Sequence, residues 1–303
     1  MELALIGLGK MGSGMSRRLL KQGFRVAGYD VNPGAVAALE PEGLRPLKAI
    51  QEVRTTLTAP RIVWLMLPAG TVTEEAVQTL GEVLEAGDLV VDGGNAFYKD
   101  SMRRAAWLEA RGIQFADVGV SGGVWGERHG YGLMMGATAA AAARLEPILK
   151  ALAPAPDKGW VHVGPVGAGH FAKMVHNGIE YALMQAYAEG FEILRQKKEF
   201  RIDLARLAEA WRHGTVIRSW LLDLTAAALA EDQDLEGVAP YVPDSGEGRW
   251  TVQEAVDLGV PVPTISGALW ERFASQQEAR YAYKLLAVMR RAFGGHAVKR
   301  NEG

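Results

Sequence analysis

Gly7-Leu8-Gly9-Lys10-Met11-Gly12 fits the pattern G-x-G-x-x-G, and its setting decides the fold. Apolar residues Leu3 to Ile6 lead into it as a strand. Lys10 to Gln22 continue from it with helical periodicity, and a second strand, Arg25 to Tyr29, ends one residue before Asp30. A strand, a glycine-rich turn, a helix and a second strand form the opening unit of a dinucleotide-binding sheet. The glycines let the chain turn tightly and let a pyrophosphate approach the backbone. Free N–H groups at the positive end of the helix then receive the anion. Gly7, Leu8, Gly9, Lys10, Met11 and Gly12 are therefore cofactor-binding candidates.

Asp30 selects the cofactor. A carboxylate at the end of the second strand accepts hydrogen bonds from the adenosine ribose hydroxyls and repels a 2′-phosphate. Val31 and Asn32 follow it, so no arginine stands there to offset the repulsion. NAD is thus expected in preference to NADP. Asp30 could instead begin a turn with Asn32-Pro33-Gly34. FAD is a rival ligand, but nothing downstream looks built for a flavin.

Working outward, short apolar runs recur at Ile62 to Leu67, Leu89 to Val91 and Phe115 to Val118, with helical patterns such as Ser101 to Arg111 between them. That alternation predicts a doubly wound parallel sheet covered on both faces. After Gly169 the character changes. His170 to Lys198 contains no proline and reads as one long helix. Further helices are expected at Leu204 to His213, Ile217 to Ala230, Thr251 to Leu258 and Thr264 to Phe293. The proline- and glycine-bearing stretch Pro154 to Gly169 marks the boundary. The expected organisation is α/β then all-α. A Rossmann-like domain spans 1–168, and a helical domain for substrate binding and oligomerisation, built on one long helix, spans 169–303.

Composition agrees. The 303 residues are 49% hydrophobic and 22% charged, the balance of a globular chain with a substantial core. The cysteine count of 0 excludes disulfides, thiolate metal sites and cysteine nucleophiles. A net charge of -2 provides no basic field for nucleic acid or an anionic membrane. No apolar run approaches the ~20 residues of a membrane helix, and Met1-Glu2-Leu3 enters a strand without a basic leader. A cytoplasmic protein is expected, with neither nucleic acid nor membrane among its partners.

The richest chemistry lies on the long helix. Lys173, His176, Asn177, Glu180 and Tyr181 fall at i, i+3, i+4, i+7 and i+8, an arc of roughly 140° on one face. Such a stripe can be a solvated face. Facing a nicotinamide, it supplies a base and an acid. A lysine is a poor base at its reference pKa near ~10.4, so its surroundings must favour the uncharged amine. No metal is expected: the six histidines show no HExxH spacing, and His170 and His176 do not share a face. Asp92-Gly93-Gly94-Asn95 and Val120-Ser121-Gly122-Gly123 each follow a strand. In doubly wound folds, ligands sit outside such strand ends.

The chain resembles the 6-phosphogluconate dehydrogenase family, the decarboxylating enzymes of the pentose phosphate pathway. The residues that carry the resemblance are Gly7 to Gly12, Asp92 to Asn95, Val120 to Gly123, the run from Gly169 to Tyr181, Gly248-Arg249-Trp250-Thr251 and the tail Phe293-Gly294-Gly295-His296. They span nearly the whole chain in the family's order. The length resembles the short form of the family, whose members tend to favour NAD.

The resemblance implies that Lys173 takes the proton of the substrate's 3-hydroxyl, and that Glu180 protonates the enediol left after loss of CO2. It implies that Asn95, Ser121, Gly122, Gly123, His176 and Asn177 hold the sugar acid, and that Tyr181 and Arg272 lie near its phosphate. Leu67-Pro68-Ala69 matches a loop beside the cofactor, which Asn95 also borders. It further implies a homodimer or homotetramer, in which Arg290 and His296 of one subunit's tail reach the neighbour's site. One departure stands out. Ser245 and Glu247 occupy positions where longer members carry a lysine and a threonine for the phosphate. A carboxylate there opposes a phosphate unless it pairs with Arg249 or points away. Two rival readings follow: another β-hydroxyacid dehydrogenase acting on a non-phosphorylated acid, and a non-catalytic NAD-sensing protein.

Overall fold

A computed structural model describes residues 1–278, 280–294 and 297–299. The chain forms two compact units, Met1–Asn177 and Gly178–Gly303. The division falls inside the long helix.

The first unit is built on one eight-stranded sheet. Its strands are β1 (Glu2–Ile6), β2 (Arg25–Tyr29), β3 (Arg45–Pro46), β4 (Ile62–Leu65), β5 (Leu89–Asp92), β6 (Gln114–Ser121), β7 (Gly132–Gly136) and β8 (Trp160–Gly164). Their spatial order is β3-β2-β1-β4-β5-β6-β7-β8. Every neighbouring pair is parallel except β6 and β7, which run antiparallel with Val118 opposite Met135. The helices of this unit are α1 (Lys10–Lys21), α2 (Pro33–Ala37), α3 (Val53–Thr56), α4 (Thr71–Val83), α5 (Tyr98–Glu109), α6 (Gly126–His129) and α7 (Ala139–Leu152), together with the first turns of α8 (Ala168–Gln196).

Strand periodicity splits the core into two layers. Leu3, Leu5, Trp64 and Val91 project to one face, where they meet Met15 and Leu19 of α1 and Leu145 and Leu149 of α7. The intervening residues Ala4, Ile6, Val63, Leu65 and Val90 project to the other, against Val77 and Leu80 of α4 and Leu108 of α5. With both faces covered, β4 is wholly apolar, and β1 and β5 carry a single acid each, Glu2 and Asp92, at one end, as buried parallel strands allow. Each such leucine stabilises the fold by about 1.5–3 kcal/mol through burial.

β7, β8 and the two-residue β3 are not among the expected strands. Gly132-Leu133-Met134-Met135-Gly136 lacks the β-branched residues that mark a strand. Trp160–Gly164 is an edge strand whose middle residues are exposed, so it carries no buried periodicity.

In the second unit α9 (Leu204–Trp211) and α10 (Trp220–Glu231) pair through Leu204, Ala208, Ala226 and Leu229, with Phe191 and Leu194 of α8 against them. Tyr181 packs with Ala268, Leu269 and Val252, which come from α12 (Pro263–Ser275) and α11 (Glu247–Leu258). The single helix expected over Thr264 to Phe293 is in fact two, α12 and α13 (Tyr281–Gly294). No proline or glycine lies between them. The break comes from side chains: Ser275 Oγ and Gln276 Nε2 both donate to the Arg272 carbonyl, and Gln276 also donates to Val242 O. The Arg272 carbonyl is thereby satisfied by side chains, and those of Phe273 and Ala274 by the N–H groups of Gln276 and Gln277, without another helical turn. Among the described residues no helix is long and apolar enough to cross a membrane.

Candidate active site

The glycine-rich turn opens a cleft of about 980 Å³ at the carboxyl ends of the sheet strands. Gly7, Gly9, Lys10, Met11 and Gly12 line it, as do Asp30, Leu67, Pro68, Asn95 and Gly123. A Cβ on Gly12 would lie 1.9 Å from the Gly7 carbonyl oxygen, so the turn closes only without one. Gly9, the N-cap of α1, has no side-chain cap, and a Cβ there would meet nothing within 4 Å. The first N–H groups of α1 thus face an open cradle, the arrangement a pyrophosphate needs. Leu8 is buried and lines no part of the cleft; its contribution is its backbone N–H, which donates to Asp30 Oδ2 at 2.7 Å. Asp30 Oδ1 accepts from Asn32 N at 2.8 Å. Both oxygens are held at the cleft wall, each with lone pairs remaining. Ala69 is exposed and lies outside the cleft lining.

Asn95 takes the left-handed backbone conformation, with φ 53°. Its amide makes two bonds to one residue: Nδ2 donates to Val120 O at 3.0 Å, and Oδ1 accepts from Val120 N at 2.9 Å. The loop after β5 is thereby fastened to the end of β6. Ser121 closes that strand, and Gly122 and Gly123 turn away from it with φ of 123° and 51°.

Lys173 sits behind the same strand end. A Cβ on Gly119 would lie 2.3 Å from the Lys173 Cβ and 2.9 Å from Gly169 O, so α8 crosses β6 at closest approach there. Lys173 is only 5% exposed. Its Nζ donates to Asn177 Oδ1 at 2.6 Å and lies 3.4 Å from His176 Nδ1. The helix is anchored by Asp117 of β6, which sequence reasoning missed. Its carboxylate accepts from Gly167 N at 2.6 Å and His170 N at 2.7 Å. Burial pushes the Asp117 carboxyl up from its ordinary value, against the lowering effects of His170 and the backbone donors. A charged residue inside the apolar run Phe115-Ala116-Asp117-Val118 was the available signal, since a buried carboxylate requires partners.

In the second unit α8 continues with half-buried Glu180 and buried Tyr181. The Arg272 guanidinium stacks on the Tyr181 ring, 3.4 Å from its centroid, and donates to Pro243 O. The Tyr181 hydroxyl lies 3.2 Å from Ser245 Oγ, and Ser245 donates to Glu247 Oε2 at 2.6 Å. Arg249 is taken by Asp244 at 2.8 Å. Arg290 lies exposed on α13, and His296 falls outside the described residues. Among the described residues no group of three or more His, Asp or Glu side chains could hold a metal ion.

A dinucleotide cradle on a doubly wound sheet, followed by a helical unit that shares its first helix, defines a dehydrogenase of the Rossmann class. Residues 2–167 match the NAD binding domain of 6-phosphogluconate dehydrogenase, and residues 169–301 match that enzyme's C-terminal domain. The chain belongs to the 6-phosphogluconate dehydrogenase family. An NAD(+)-dependent, decarboxylating 6-phosphogluconate dehydrogenase of Haloferax volcanii is 42% identical over 303 residues, covering all of both chains. YqeC of Bacillus subtilis, which bears the enzyme's name only provisionally, is 39% identical over 99% of this chain and 100% of its own. The solved 6-phosphogluconate dehydrogenase of Plasmodium falciparum superimposes with a TM-score of 0.83 at 28% identity, over 100% of this chain and 67% of that one.

Proposed function

We propose that this enzyme oxidises and decarboxylates 6-phosphogluconate to ribulose 5-phosphate and CO2, with NAD preferred over NADP. The observation that carries the reading is the placement of Lys173. It is buried, held by Asn177, and pressed against Gly119, whose neighbour Val120 is fastened to Asn95 of the dinucleotide cleft. The proposed base thus packs on the strand residue next to Val120, which is bonded to a side chain of the cleft wall.

A bound nicotinamide supplies the hydride acceptor. Lys173, as the uncharged amine, accepts the proton of the 3-hydroxyl while C3 is oxidised. The resulting 3-keto acid loses CO2 because the ketone takes up the electrons of the breaking C–C bond. Glu180, two turns further along α8, then donates a proton to C1 of the enediol. Asn95, Ser121, Gly122, Gly123, His176 and Asn177 hold the sugar acid, and Tyr181 with Arg272 receives its phosphate. A planar guanidinium carries five N–H groups, so Arg272 has donors for such an anion beyond the one given to Pro243 O.

Asp30 supports NAD. Its two anchored oxygens cannot turn away from a 2′-phosphate without giving up the Leu8 and Asn32 N–H bonds. The Haloferax relative is NAD(+)-dependent by name. A homo-oligomer, in which Arg290 of one subunit reaches a neighbouring site, is supported by the exposure of Leu286, Val288 and Met289 on α13.

One observation favours a second reading, a β-hydroxyacid dehydrogenase for a non-phosphorylated acid. Arg249 is occupied by Asp244, and the Glu247 carboxylate accepts from Ser245 Oγ, so a carboxylate stands in the phosphate region paired with a hydroxyl and not with Arg249. A kinetic panel separates the two: 6-phosphogluconate, gluconate and 3-hydroxyisobutyrate, each with NAD and NADP. The proposal expects the highest kcat/KM with 6-phosphogluconate and NAD. A preference for gluconate or 3-hydroxyisobutyrate overturns it.

A further inference from the structure

We propose that Arg104, which does not itself line the cleft, is a positioning residue for the dinucleotide. Its guanidinium locks the loop after β4 to the loop after β5, and so sets the wall against which the nicotinamide half is held. The inference rests on the reading of the cleft as a dinucleotide site.

Arg104 comes from the inner face of α5, where Ser101, Arg104 and Leu108 are buried at helical spacing. Its side chain is 1% exposed. Three acceptors, on three different segments, surround it. Nη1 donates to Asp92 Oδ2 at 3.1 Å, at the end of β5. Nε donates to Glu74 Oε2 at 2.9 Å, in the first turn of α4. Nη2 donates to Gly70 O at 3.3 Å, in the loop between β4 and α4.

Each acceptor passes the restraint on to the cleft. Asp92 is fully buried, and its other oxygen accepts from Gly94 N at 3.0 Å. The cation therefore holds the Gly93-Gly94-Asn95 turn through one carboxylate. On the other side Gly70 ends the Leu67-Pro68-Ala69 loop, whose start is tied to α4 by Thr73 Oγ1 donating to Pro68 O at 2.8 Å. The two loops touch: a Cβ on Gly94 would lie 2.4 Å from Leu67 O. Leu67, Pro68, Gly93, Gly94 and Asn95 all line the cleft.

A buried ion pair of this kind is not explained by net stabilisation, since desolvation consumes much of its Coulombic gain. It does fix geometry. Arginine presents donors in a rigid fork, and here Nε, Nη1 and Nη2 point at three separate segments. Lysine, with one nitrogen on a flexible stem, can reach Asp92 or Glu74 but cannot keep the fork's angles. The Glu74 carboxylate is also held from outside by Arg103, at 2.8 Å through both oxygens. That second clamp keeps Glu74 aimed inward at Arg104.

The test is NADH binding to the full chain, followed by fluorescence, alongside KM for NAD and for 6-phosphogluconate and the melting temperature. Arg104→Met is expected to raise the NADH dissociation constant about tenfold or more, with the KM for the sugar acid much less affected. Arg104→Lys is expected to recover part of the loss. A folded Arg104→Met protein that binds NADH as the wild type does, with only its melting temperature lowered, overturns the proposal. If Arg104→Met does not fold, Arg104→Lys decides, because it keeps a buried cation but loses the fork that reaches three segments. Weakened NADH binding there supports the proposal, and unchanged binding overturns it. A wild-type chain that fails to bind NADH overturns the cleft reading itself, and the proposal with it.

Discussion

Gly119 of β6 and Lys173 of α8 meet so closely that a Cβ on the glycine would lie 2.3 Å from the Cβ of the lysine. The proposed base is thus located by the absence of a side chain on the strand beneath it. Gly119→Ala must push α8 outward, because the nearest atoms are a Cβ and the Gly169 carbonyl, neither of which can swing aside. Overpacking of this kind costs about 1–3 kcal/mol. Displacing a reacting group by an ångström can cost on the order of 10²-fold in rate. Measurement of kcat and melting temperature together should show the rate falling far more than stability accounts for. A folded variant with wild-type kcat would show that the position of Lys173 is not critical.

Removal of the amine itself is the sharper test of its role. Lys173→Ala is expected to lower kcat by about 10²- to 10⁴-fold, the usual contribution of a general base. NADH binding should stay near the wild-type level, since Lys173 contributes nothing to the cleft lining. Turnover comparable to the wild type would remove Lys173 from the mechanism.

Asp30 tests the choice of cofactor. Asp30→Asn keeps a side-chain carbonyl oxygen as acceptor for the Leu8 N–H and removes the charge. The kcat/KM ratio of NAD over NADP should fall on the order of tenfold, mainly through better use of NADP. An unchanged ratio would mean that the discrimination arises elsewhere in the cleft.

Glu74 governs a pH dependence. Hydrogen bonds from Arg103, reinforced by Arg104 against the opposing effect of burial, hold its carboxyl down at about 2, where the ordinary value is 4.5. The unfolded chain therefore binds this proton more readily than the folded one. Stability from Glu74 is fully present above pH 4.5 and is lost as pH falls towards about 2. Its upper bound is about 3 kcal/mol by linkage, reduced by partial solvent exposure. Urea unfolding at several pH values should show Glu74→Gln losing less stability than the wild type as pH drops from 4.5 towards about 2. Parallel losses in the two proteins would contradict the ion-pair assignment.

Much of this arrangement was legible in the amino-acid sequence, and the parts that were not share a physical cause. β1, β2, β4 and β5 announced themselves as apolar runs, because buried parallel strands need no polar face. The Gly7 to Gly12 turn could be read because only glycine tolerates the contacts at its two ends, Gly7 and Gly12. β7 and β8 stayed hidden, one being rich in methionine and glycine and the other exposed at the sheet edge. The break between α12 and α13 depends on Ser275 and Gln276 reaching back to the Arg272 carbonyl, which no local breaker signals. At the site, the helical stripe from Lys173 to Tyr181 followed from periodicity alone. Its supports did not. Asn95 to Val120 spans 25 positions, Asp117 to His170 spans 53, and Asp92 to Arg104 joins a strand to the following helix. A charged residue within an apolar run shows that a partner must exist, but only the fold shows which one.

The most direct test of the central claim is one stoichiometry. Wild-type enzyme is given 6-phosphogluconate labelled at C1 and limiting NAD, and NADH and labelled CO2 are measured in the same reaction. Oxidation coupled to decarboxylation by Lys173 and Glu180 predicts one CO2 released for each NADH formed, at the same rate. NADH accumulating without matching CO2, or no NADH at all, would contradict it.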